Sequence, residues 1–110
     1  MSLRDMNCTF SPPALDAGAV ASLLAELDGW TQAGARIERR YALRDYHETI
    51  EFVNALAWMT HRQDHHPDLA VTYNSCTVSY CTHSAGGKLT NNDFICAAKA
   101  DALYAQRAGA

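Results

Sequence analysis

The 110-residue sequence is short of several things, and each shortage closes off a class of function. It has no apolar run approaching the roughly 20 residues that cross a bilayer. Its opening, Met1-Ser2-Leu3-Arg4-Asp5-Met6, lacks the apolar core of a signal peptide. A cytoplasmic protein without membrane contact is therefore expected. Basic charge is scarce: nine Lys and Arg stand against twelve Asp and Glu, a net charge of −3. Nucleic-acid binders carry a basic face, so none is expected here. The four cysteines, Cys8, Cys76, Cys81 and Cys96, include no pair with the two-residue gap of a zinc ribbon or redox motif. Cys76 and Cys81 are five apart in one expected strand, which puts them on opposite faces, so they are expected as free thiols. No Gly-x-Ser-x-Gly elbow for a nucleophilic serine exists, and Gly86-Gly87 is not followed by the Lys-Ser/Thr of a phosphate loop. Apolar residues are not scarce, at 48% against 19% charged, which excludes a disordered chain. A length of 110 residues predicts one domain spanning 1–110.

The periodicities predict seven elements. Asp16 is an N-cap, with Leu15 before it able to staple onto Val20. Val20, Leu23, Leu24 and Leu27 make an apolar helical stripe that Gly29 can end in a left-handed conformation. Trp30 to Gln32 and Arg36 to Ala42 read as a hairpin around Ala33-Gly34, with Ile37, Arg39 and Tyr41 on one face. A long helix follows from about Arg44 to Arg62. Its stripe is Tyr46, Ile50, Val53 and Ala57, widened by Phe52, Leu56 and Met59. Pro67 stops any helix before it. Leu69 to Tyr73 and Thr77 to His83 read as strands joined at Asn74-Ser75. Val78 and Tyr80 share one face of the second; Thr77, Ser79, Cys81 and His83 share the other, more polar one. After a loop at Ser84-Ala85-Gly86-Gly87-Lys88, Thr90-x-x-Asp93 is a capping box with Asp in place of Glu or Gln. It opens a last helix through Phe94, Ile95, Ala98, Ala102 and Leu103. The order α-β-β-α-β-β-α, with short turns inside each strand pair, predicts an α+β fold. An antiparallel sheet is covered on one face by three helices. The other sheet face is left for water, a ligand or another subunit.

Histidine is the residue in excess. Four of the five histidines fall between positions 61 and 83. His61 and His65 are four apart near the end of the long helix, His66 and Pro67 follow, and His83 can return to the same end if the strands fold back. Imidazole titrates near pH ~6.5, so clustered histidines point to proton transfer at neutrality. The bland alternative is a set of solvated side chains at a helix end, which is the expectation for His47. A zinc site at His61-x-x-x-His65 is a further alternative. Against it, no Glu lies between the two, and Pro67 limits the helix. Cys81 and His83 as a thiolate pair is weaker, because neighbours on one strand face point in parallel.

Taken together, His61-x-x-x-His65-His66-Pro67, then Tyr73, His83 and Asp93 at their spacings, resemble the signature of the pterin-4a-carbinolamine dehydratases. Gly29-Trp30, Phe52, Tyr73-Asn74, Thr82-His83 and the Gly86-Gly87-Lys88-Leu89-Thr90 stretch extend the resemblance over nearly the whole chain. It implies a four-stranded antiparallel sheet with three helices on one face. It also implies dehydration of 4a-hydroxytetrahydropterin to the quinonoid dihydropterin, serving aromatic amino acid hydroxylases, with no metal or cofactor, in a homodimer or homotetramer. On this resemblance His65, His66 and His83 are the catalytic residues, with His65 and His83 as the principal acid and base. His61, Asp64, Pro67, Trp30, Thr82 and Asp93 are the substrate-binding set. Within it, Asp64 is expected to orient one histidine, Trp30 to wall the pterin ring and Thr82 to offer it a hydroxyl. Departures are His61, where many members carry Glu, Ala85, where some carry Cys, and the extra Lys88. Some animal members of the family also bind a transcription factor, so an interaction protein is the alternative, as is action on another pterin.

Overall fold

The computed structural model describes residues 2–107. Its principal elements are α1 (Ala17–Leu24), β1 (Thr31–Ala33), β2 (Arg36–Ala42), α2 (Tyr46–Gln63), β3 (Asp68–Val71), β4 (Ser75–Tyr80) and α3 (Asn91–Ala105), with one-turn 3-10 helices at Leu3–Asp5 and His83–Ala85. This is the expected α-β-β-α-β-β-α order. The strands form one antiparallel sheet in the order β1-β2-β4-β3, so β2 and β4 are central. Ile37 pairs with Tyr80, Arg39 with Val78 and Tyr41 with Cys76.

Each helix begins where a side chain satisfies its free amides. Asp16 Oδ1 accepts from Ala19 N at 2.8 Å, and Asp45 Oδ1 accepts from Glu48 N at 2.9 Å. At α3 the full capping box forms between Thr90 and Asp93. The core lies between sheet and helices. Ile37, Tyr41, Cys76, Val78 and Tyr80 from the sheet meet Phe52, Leu56, Phe94, Cys96, Ala97 and Ala100 from the helices.

Several boundaries differ from expectation. α1 stops at Leu24; Leu27 stays buried through a following turn, and Gly29 serves the link to β1. There it adopts φ +84°, a conformation that strains any residue with a Cβ, and the Arg39 side chain lies 2.9 Å from where that Cβ would sit, so glycine is favoured. The buried stripe of α2 is Thr49, Phe52, Leu56 and Thr60, rotated from the apolar one read in the sequence; Tyr46 and Ala57 are exposed. Threonine can face the core here because its hydroxyl is satisfied locally. Thr49 Oγ1 donates to Asp45 O at 2.8 Å, and Thr60 Oγ1 donates to Ala57 O at 3.2 Å. The β3–β4 turn comes earlier than Asn74-Ser75, closed by Thr72 N donating to Ser75 O at 2.9 Å. β4 therefore spans Ser75–Tyr80, and His83 lies beyond it on the 3-10 turn rather than on the strand's polar face.

Candidate active site

The end of α2 sets up the site. Its C-cap is Asp64 in the left-handed region (φ 51°), with its N–H turned back to the carbonyls of His61 and Thr60. Aspartate tolerates this conformation better than most residues. His65 N also donates to Thr60 O, at 3.2 Å, after which the chain leaves the helix axis. The reversal drives His65 inward and leaves His66 exposed.

His65 is buried and held firmly. Its ring stacks on Tyr80 with centroids 5.5 Å apart and planes 7° apart. Its Nε2 lies 2.6 Å from Asp93 Oδ1, and Asp93 is fully buried in the first turn of α3. The second oxygen, Asp93 Oδ2, accepts from Thr82 Oγ1 and from Thr90 N, both at 2.9 Å. The Thr82 and Thr90 hydroxyls are 2.7 Å apart. A carboxylate cannot donate, so Nε2 carries the proton that faces it, and a neutral ring keeps Nδ1 as its acceptor. That tautomer is assigned from the hydrogen-bond partners.

Of these residues His65 and Thr82 border a cavity of about 560 Å³, with Asp93 behind them. Asp64, His65, His66 and Pro67 form one side of its lining, and Thr82 and His83 come from the segment after β4. His83 is exposed at the start of its turn, which Gly86 and Gly87 close with positive φ and amides returned to His83 O and Thr82 O. The loop containing Lys88 rejoins at Thr82, whose N–H donates to Lys88 O at 3.0 Å. Among the described residues, no three His, Cys, Asp or Glu side chains are grouped to hold a metal ion.

Four residues named from the sequence sit elsewhere or act otherwise. Trp30 does not border the cavity; it is buried in the core, its Nε1 donating to Asp101 Oδ1 at 3.0 Å. His61 is exposed on the outer side of α2, in a separate shallow groove with Trp58. Asp64 borders the cavity, but the carboxylate that orients His65 is Asp93, twenty-eight positions away. The Thr82 hydroxyl is committed to Asp93. Sequence reading also missed a wall. Cys8, Thr9 and Phe10 line the cavity, although the segment before α1 reads as a loose lead-in. Asn92 pins it: Oδ1 accepts from Thr9 N at 3.0 Å, and Nδ2 donates to Thr9 O at 2.9 Å. Gln63 Oε1 accepts from Cys8 N at 2.8 Å. A strand-like grip by a helix side chain leaves no local pattern in the segment it holds.

The profile of the family described as Pterin 4 alpha carbinolamine dehydratase matches residues 13–103. The chain belongs to that family. A curated dehydratase-family protein from Nitrosospira multiformis, named "putative pterin-4-alpha-carbinolamine dehydratase", is 47% identical over 88% of this chain and 85% of its own. Among solved structures, a "transcriptional coactivator/pterin dehydratase" from Brucella melitensis superposes with a TM-score of 0.79 at 28% identity. It covers 83% of this chain and 98% of that one. A pterin dehydratase-like protein described as a RuBisCO assembly factor in the alpha-carboxysome shares the fold alone. Its TM-score is 0.59 at 23% identity, over 69% of this chain and 89% of that one.

Proposed function

We propose that this dehydratase-family chain removes water from 4a-hydroxytetrahydropterins by histidine acid/base catalysis. The observation that carries the reading is the convergence of His65, His66 and His83 on one cavity, with His65 oriented by buried Asp93. In the carbinolamine, the ring-nitrogen lone pair expels the neighbouring hydroxyl once that oxygen is protonated. The C–O bond breaks, a C=N bond forms, water leaves, and the nitrogen gives up its proton. The step needs one group that donates and one that accepts near neutrality, and each positioned group is worth ~10²–10⁴ in rate. His65 and His83 are the principal pair in this reading. His66, exposed at the mouth, positions the hydroxyl or serves the other stereoisomer. Asp64 and Pro67 shape the rim. Asp93 and Thr82 act through His65 and do not bind the pterin directly.

The same reading places the chain as a single cytoplasmic domain, 1–110, in a homodimer or homotetramer, returning pterin to an aromatic amino acid hydroxylase. The test is loss of freshly generated 4a-hydroxytetrahydropterin, followed by ultraviolet absorbance. Wild type should accelerate it and His83→Ala should not. A wild-type rate equal to the spontaneous one overturns the reading. A second role in binding a protein is favoured by the outer side of α2, where Trp58 is 72% exposed. In that case Trp58→Ala loses the partner and keeps dehydration.

A further inference from the structure

We infer that Cys8 and Cys96 form a reversible disulfide, made by exchange with a small-molecule disulfide, that fastens the N-terminal wall of the cavity to α3. Their sulfurs are 3.4 Å apart, 88 positions apart in the chain. Disulfide bonds are ~2.05 Å long, so the sulfurs must close by little more than an ångström. Cys8 is half-buried and borders the cavity, where a small molecule can reach it; Cys96 is fully buried, one turn along α3 from Asp93. The wall bearing Cys8 is already seated by Gln63 and Asn92, so little ordering remains to be done. No other pair of thiols in the described residues is this close. Cys76 is buried without a sulfur partner, and Cys81 Sγ accepts from Arg36 Nη1 at 3.4 Å.

The chemistry has a direction. The hydrogen bond between the two sulfurs holds the Cys8 thiol below the ordinary range against the opposing effect of burial, and the Lys99 ammonium pulls the same way. That hydrogen bond and burial push Cys96 up, so Cys8 is the attacking thiolate. It attacks one sulfur of R–S–S–R; the S–S bond breaks and R–S⁻ leaves. Cys96 then attacks the Cys8 sulfur of the mixed disulfide, its proton passes to solvent, and a second R–S⁻ leaves. Two protein thiols are oxidised to one disulfide, and R–S–S–R is reduced to two R–SH. Excess thiol reverses both steps.

The test is incubation of the native chain with oxidised glutathione, acid quench, alkylation and intact mass with peptide mapping. Expected are two alkylated cysteines, Cys76 and Cys81, and a linked Cys8–Cys96 peptide, all reversed by dithiothreitol. Cys8→Ser must abolish the link. Cys96→Ala repeats the control without placing a hydroxyl in the core, and should leave glutathione on Cys8. The closed loop is long, so the linked form should unfold several degrees above the reduced one. Four alkylated thiols in wild type, a stable glutathione adduct on Cys8 with Cys96 alkylated, or a link that survives Cys8→Ser would overturn the proposal.

Discussion

His65 is gripped from three directions, whereas His83 stands on a three-residue turn with no side-chain partner among the described residues. His65 has the Tyr80 ring beneath it, the Asp93 carboxylate at Nε2 and its own amide tied to Thr60. Its orientation and tautomer are settled during folding, before any substrate arrives, and this is the entropy that catalysis would otherwise have to supply. His83 keeps its rotamer freedom, which the proposed reaction would have it spend on binding. The contrast separates a group that must always face one way from a group that can follow a substrate in and out. It also separates the effects expected of their removal.

The largest effect is expected from His65→Ala. We expect kcat/KM to fall by ~10²–10⁴. The melting temperature should fall too, because buried Asp93 loses a charge-assisted partner, a loss of about 1–3 kcal/mol. His83→Ala should lower kcat/KM comparably and leave the thermal midpoint in place. Equal loss of stability in the two variants breaks the contrast. Next comes Asp93→Asn. A carboxamide can present N–H instead of a lone pair to Nε2 and select the wrong tautomer, so kcat should fall by about 10²-fold or more while KM changes little. The pH–rate profile should change with it, which a purely structural role would not produce. A smaller effect is expected for Thr82→Val, which removes one of three donors to Asp93: about 1 kcal/mol of stability and a few-fold in kcat. The smallest effect on activity belongs to Trp30→Phe. It loses the bond to Asp101 and about 1 kcal/mol of stability, with KM unchanged; a large rise in KM would return Trp30 to the substrate.

Much of the fold was legible because local chemistry and global packing agree. Asp16 and Thr90-x-x-Asp93 start helices in sequence and in space, and Ile37 with Tyr41, and Val78 with Tyr80, alternate onto the buried face. The rotated stripe of α2 was not legible, because Thr49 and Thr60 read as polar until their hydroxyls are seen returning to backbone carbonyls. Of the candidate site, the three histidines that border the cavity stood out by their spacing. Their orienting carboxylate did not: Asp64 is adjacent to His65 in sequence, but the left-handed turn at Asp64 spends that residue on capping α2. The facing carboxylate arrives from α3. Trp30, expected as a wall for the pterin ring, stands in the core instead for a related reason. An aromatic beside a glycine suits a ring-binding wall and a core equally, and Asp101, which decides between them, lies 71 positions away.

Asp93 holds two posts, closing the capping box of α3 and facing His65. The first turn of a helix is where fraying begins, and such openings cost less free energy than global unfolding. Turnover would therefore act as a local thermometer. On gentle warming or in dilute urea, activity should fade while Trp30, sealed in the core, still fluoresces as native. If the proposed dehydration holds, its rate would report the breathing of one helical turn well before the chain lets go of its sheet.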